Sequence, residues 1–256
     1  MSLLSTQDLT IRFGGHVAVN AVTCAFQPGT LTAIVGPNGA GKTTYFNLIS
    51  GQLKASSGTV SLGGRDLSGL SASQRTRAGL GRAFQLTNLF PRLTVLENVR
   101  LAVQASWDGG HLHGLNLWSI WSDHRELTER ADEILAVVAL ADKRRETVAT
   151  LPHGDQRKLE VALLMALDSQ VFMFDEPTAG MNAAEAPVIL NLIRRLKDDE
   201  SKTILLVEHK MDVVRELADR IIVLHNGALV ADGAPADVIA LPVVQEAYLG
   251  ISKEAA

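Results

Sequence analysis

The sequence predicts an α/β protein: a parallel sheet covered on both faces, preceded by a β-rich lobe and interrupted by a helical insertion. Three observations carry this. Val171-Phe172-Met173-Phe174 and Thr203-Ile204-Leu205-Leu206-Val207 are continuous apolar runs, as strands buried on both faces require. Between them Ile189, Leu192, Ile193 and Leu196 recur at helical spacing, so strand, helix and strand imply a crossover onto a parallel neighbour. Over residues 94–140 the texture changes, and Leu127, Ala131, Ile134, Leu135 and Val138 form one apolar stripe, which predicts a helical subdomain.

The remaining elements follow in order. Residues 9–13, 17–26 and 31–35 read as strands, punctuated by Gly14-Gly15 and Pro28-Gly29. A helix over 44–50 and a short strand over 59–62 come next. Residues 107–121, rich in Gly, His and Trp, read as a loop or short helix, either packed locally or forming a contact surface. A helix is expected over 155–167. Residues 221–224 and 228–231 flank Asn226-Gly227, the signal of a tight hairpin. The chain shows no internal repeat.

At 256 residues, 46% of them apolar and 20% charged, the chain suits one large α/β domain or two small ones. The charge sum, 24 minus 28 or −4, provides no basic field of the kind that attracts nucleic acid, so no nucleic-acid partner is expected. The single cysteine, Cys24, excludes an internal disulfide framework and fits a reducing cytoplasm. No secretory signal is read at the start, and no apolar stretch approaches the roughly 20 residues needed to cross a bilayer. Any work at a membrane is therefore expected from outside the lipid.

Two motifs carry chemistry. Gly36-Pro37-Asn38-Gly39-Ala40-Gly41-Lys42-Thr43 matches G-x-x-x-x-G-K-[ST], after a predicted strand and before the helix that Thr44 opens. Glycines there let backbone N–H groups turn toward phosphate oxygens, Lys42 reaches the β and γ phosphates, and the Thr43 hydroxyl suits Mg²⁺. Far downstream, Asp175 and Glu176 end a buried strand, where open α/β sheets present their ligands. Asp175 is expected in the Mg²⁺ shell. Glu176, expected to point the other way along an extended chain, suits polarising a water for attack on a γ phosphate.

With these and further motifs in the required order, the chain resembles the ATP-binding cassette (ABC) family. Gly81-Arg82-Ala83-Phe84-Gln85 resembles its Q-loop, Leu151-Pro152-His153-Gly154-Asp155-Gln156 its signature, Pro177-Thr178-Ala179-Gly180-Met181-Asn182 its D-loop, and Val207-Glu208-His209 its switch histidine. The resemblance implies a P-loop NTPase (RecA-like) core with an N-terminal antiparallel β subdomain, residues 1–85 and 161–256, and an inserted α-helical subdomain, residues 86–160. It implies ATP and Mg²⁺ as cofactors, Phe13 against adenine, Gln85 at the metal and water site, and His209 holding the water beside Glu176. It also implies a second cassette, identical or paralogous, whose Gly154 and Asp155 would complete the far side of the nucleotide. Asp155 at a helix start equally suits ordinary N-terminal capping.

The signature departs from the family's Leu-Ser-Gly-Gly-Gln at Pro152, His153 and Asp155, removing a serine donor to the γ phosphate. Together with Arg12-Phe13-Gly14-Gly15 and the ending Glu246-Ala247-Tyr248-Leu249-Gly250, it resembles the ATPases of bacterial branched-chain amino-acid importers. Urea or amide importers are close neighbours in that plan, and repair or translation ATPases of the same family are a further alternative. The resemblance implies transmembrane permease subunits as partners, contacted over residues 84–101, and indirectly a periplasmic solute-binding protein. The chain itself would lie in the cytoplasm, peripheral on the inner membrane.

Overall fold

The computed structural model describes residues 3–83, 89–107, 125–182, 184–242 and 244–245. The chain opens with β1 (Leu4–Phe13) and β2 (His16–Phe26), then β3 (Leu31–Val35) and helix α1 (Lys42–Ser50). Next come β4 (Ser57–Leu62), β5 (Arg65–Asp66), α2 (Ala72–Arg77) and β6 (Leu80–Ala83). Helices α3 (Val95–Trp107), α4 (Arg125–Val137) and α5 (His153–Ala166) form the insertion. Then β7 (Val171–Asp175), α6 (Ala186–Leu196), β8 (Thr203–Val207), α7 (Met211–Leu217), β9 (Arg220–His225), β10 (Ala228–Gly233) and α8 (Pro235–Ile239) follow.

Two sheets result. The smaller, ordered β2-β1-β4-β5, is antiparallel throughout. The larger, ordered β10-β9-β3-β8-β7-β6, is parallel except for the β9–β10 hairpin. Alternation along its central strands separates two cores. Phe172, Phe174, Ile204 and Leu206 join residues of α3 to α6, whereas Val171, Met173, Leu205 and Val207 face α1 and the small sheet. Both faces are thus apolar, which is why these strands appear in the sequence as unbroken runs. Helix α1 lies between the sheets, and its Tyr45 hydroxyl meets Thr6 Oγ1 at 2.8 Å, keeping a buried phenol partnered.

Several expectations are corrected. β1 starts at Leu4 rather than residue 9, because Ser5 and Thr6 pair across both neighbours, and Gln7 with β4, despite lacking an apolar pattern. A bulge at Asp8, whose φ is 47°, then shifts the register. β6 was not expected as a strand; it pairs in parallel with β7 at the sheet edge. Helix α5 starts at His153, two residues before the predicted 155, and runs unbroken across the expected subdomain boundary at residue 160. The hairpin forms as read, with φ positive at both Asn226 and Gly227. The expected loop over 107–121, beyond Trp107, and the ending at 246–250 lie outside the described residues.

Candidate functional site

Four adjacent parallel strands, β3, β8, β7 and β6, end along one edge, and each runs into a candidate motif. β3 leads into Gly36, β8 into Glu208 and His209, β7 into Glu176, and β6 toward Gln85. Sheet order thus brings together residues remote in the chain at the edge where such sheets bind ligands. Gln85, with Phe84, lies outside the described residues.

The glycine-rich loop is held from outside. A Cβ on Gly36 would lie 2.2 Å from the Leu224 carbonyl, and one on Gly41 2.5 Å from that of Ala18. Gly41, with φ 95°, is the N-cap of α1. Its positive φ and the close backbone of β2 both demand glycine. Ala40 is buried, Pro37 half-buried, and Asn38 and Gly39 are exposed at the tip. Lys42 folds back so that Nζ donates to the carbonyls of Gly36 at 2.6 Å and Pro37 at 3.0 Å. Burial pushes its ammonium below the usual lysine range, opposed by the attraction of Glu176 and Asp175. Thr43 is exposed and Thr44 half-buried in the first turn of α1.

Asp175 closes β7 as a buried carboxylate whose Oδ2 accepts from Arg82 Nη2 at 2.8 Å. Burial raises its pKa, the Arg82 guanidinium opposing it. The extended geometry expected for Glu176 is corrected: the strand ends one residue earlier, and Glu176 adopts φ 49°, its N–H donating to Val207 O at 2.9 Å. The chain turns there, leaving the Glu176 side chain partly exposed, with Oε1 3.9 Å from His209 Nδ1. His209 is half-exposed in its own turn. The fully buried Glu208 accepts from the N–H groups of His209 at 2.9 Å and Lys210 at 3.1 Å through Oε1, and from the Thr178 hydroxyl through Oε2.

Phe13 ends β1 half-exposed, opposite His16 at the hairpin turn. It is therefore not a core residue, and it stands half-exposed on the lobe whose β2 abuts Gly41. At the signature, Pro152 is the N-cap of α5, Pro152 and His153 are exposed, and Gly154 is buried. A Cβ on Gly154 would come 2.9 Å from Glu185 Oε1. The Asp155 side chain makes no cap; it accepts from Lys143 and Lys158. Burial opposes its charge, but the two lysines outweigh that and hold the carboxyl below the ordinary range. Asn182 Oδ1 accepts from the N–H groups of Ala184 and Glu185, closing the turn into α6.

Sequence reasoning missed Arg82 and Glu208 as individual residues. For Arg82 no local signal was available, its partner Asp175 lying far along the chain; for Glu208 it was a second acid directly after an apolar run. Each is costly unless partnered.

The family described as ABC transporter matches residues 19–179. The chain belongs to the ABC transporter family. It is 39% identical over 249 residues to the high-affinity branched-chain amino acid transport ATP-binding protein LivG of Escherichia coli (strain K12), covering 97% of this chain and 98% of that one. BraF of Pseudomonas aeruginosa, with the same description, is 36% identical over the same shares. Among solved structures, the ADP conformation of MJ1267, an ATP-binding cassette of an ABC transporter, superposes with TM-score 0.81 at 28% identity. That match covers 98% of this chain and 99% of the other. The two-sheet architecture with its helical insertion is thus that of an ABC ATPase.

Proposed function

We propose that this chain is the ATP-hydrolysing subunit of an importer for branched-chain or other hydrophobic amino acids, working on separate permease subunits. The observation that carries the chemistry is the single edge on which the Lys42 loop, Asp175, Glu176 and His209 meet. Identity to LivG and BraF over nearly the whole length carries the solute class and favours it over urea or amides.

The donor set fits Mg²⁺. Thr43 offers an exposed hydroxyl and Asp175 a carboxylate. Among the described residues no group of three or more His, Cys, Asp or Glu side chains could cage a metal, and Mg²⁺ takes few protein ligands, filling its shell with water and phosphate. Bound there, the ion would offset charge on the phosphate oxygens. The chain's own residues do the rest. Backbone N–H groups of Gly36 and of residues 38–43 and the Lys42 ammonium bind the phosphates, Phe13 covers the base, and the family resemblance assigns Gln85 to the metal and water site. Glu176 accepts the proton of the attacking water, which His209 holds in line.

The start of α5 supports a second cassette. It is an anion-binding helix end in a molecule whose own nucleotide is served by α1, so it suits a companion's nucleotide, with Gly154 at the contact. Asp155, occupied by two lysines, orders that helix start. Among the described residues no helix is long and apolar enough to cross a membrane, which suits a subunit seated on its permease at the inner face. Reconstitution with its permease and solute-binding protein in vesicles tests the reading. ATP-dependent leucine uptake is expected, and uptake of urea without leucine would replace the solute assignment.

A further inference from the structure

Arg82 is the most heavily partnered cation near the site. Its side chain, on β6, is 7% exposed, and Nη2 reaches Asp175 Oδ2 at 2.8 Å. Nη1 donates to Asn47 Oδ1 at 2.6 Å, Ser50 Oγ at 2.9 Å and Gln52 Oε1 at 3.2 Å. The guanidinium lies 5.4 Å from the Phe46 ring centroid, on the same helix. One planar group therefore joins three parts of the site: the helix that follows the phosphate loop, the acid that ends β7, and the strand that leads to Gln85.

We propose that Arg82 is a positioning residue that fixes Asp175 for the metal. This rests on the reading above that Asp175 holds Mg²⁺. By binding Oδ2, the guanidinium fixes the carboxylate's rotation and leaves Oδ1 as the oxygen offered to the ion. Because its other nitrogen is anchored on α1, the acid and the phosphate loop keep a common frame. Partners of this kind orient the ligands of a metal site, and their loss typically costs about 10- to 100-fold in affinity. Lysine cannot substitute, since a compact ammonium cannot span Asp175 and the α1 acceptors as a planar fork does.

The test is the metal response of nucleotide binding. The affinity for ATP is measured in EDTA and across a Mg²⁺ titration for wild type, Arg82→Lys, Arg82→Met and Asp175→Asn, each checked by thermal melting. For both Arg82 variants, affinity in EDTA should stay within about twofold of wild type, while the half-saturating Mg²⁺ concentration rises about tenfold or more. Arg82→Lys decides alone if Arg82→Met does not fold. A fall in affinity equal with and without Mg²⁺ would show a merely structural role and overturn the proposal, as would a tightened metal response, which would mean that Arg82 competes with the ion. An unchanged response in the Arg82 variants with a lost response in Asp175→Asn overturns the proposal alone. An unchanged response in Asp175→Asn removes the metal reading on which it stands.

Discussion

His209 Nδ1 lies 3.9 Å from Glu176 Oε1, although the two residues follow different strands. The backbone makes this meeting possible. Glu176 leaves β7 in a left-handed turn, and its N–H is bound to Val207 O on the neighbouring strand, just before the histidine turn. Glu208, buried beneath that turn, fastens the amides of His209 and Lys210. The pair is thus set by main-chain contacts rather than by its own attraction.

Glu176→Gln should therefore keep the turn and the bound nucleotide while hydrolysis falls. Loss of a positioned general base costs about 10²- to 10⁴-fold, so phosphate release should drop by that order with ATP affinity nearly unchanged by calorimetry. Near-normal turnover in the purified variant would remove Glu176 as the base.

Gly41→Ala should damage both fold and binding. The added Cβ would stand 2.5 Å from the Ala18 carbonyl at a φ of 95°, a backbone conflict costing about 1–3 kcal/mol. At Gly39, where φ is 80° and nothing lies within 4 Å, alanine meets only the conformational cost. Thermal melting and calorimetry should rank Gly41→Ala well below Gly39→Ala; equal behaviour would contradict the close approach of β2 to the loop.

Acid should weaken the start of α5. Burial opposes the Asp155 charge, but Lys143 and Lys158 hold its folded-state pKa below that of the unfolded chain, which is that of an ordinary aspartate, about 3.9. The unfolded state then binds more protons through this window, so the stability is fully present above the unfolded pKa and fades as pH falls through the folded one. Urea midpoints should show Asp155→Asn less stable than wild type near neutrality, the gap closing toward acid. A gap independent of pH would contradict the ion-pair account.

How far the sequence revealed this molecule depends on where each signal resides. β3, β7 and β8 were readable because burial on both faces leaves unbroken apolar runs. β6 was not, because Leu80-Gly81-Arg82-Ala83 contains a glycine and an arginine whose partner, Asp175, lies far along the chain. The first half of β1 failed similarly, its polar residues being recruited by strands on both sides. Helix α2 did carry a local signal, Ser71 with Gln74 as a capping box. The glycine-rich turn into α1 was legible because its glycines, lysine and threonine are contiguous. The backbone reversal at Glu176 was not, since two acids after an apolar run look the same whether the strand continues or stops. The reversal exists only in the folded chain, as a φ of 49°.

The central claim is that Lys42, Thr43, Asp175 and Glu176 serve one triphosphate. A crystal structure of Glu176→Gln with Mg·ATP tests it most directly. In it, Lys42 Nζ should leave the carbonyls of Gly36 and Pro37 for the β and γ phosphates, with Thr43 and Asp175 at the metal and Gly154 of a second copy across the nucleotide. Nucleotide bound away from the loop, or an Asp175 carboxylate remote from the metal, would contradict it.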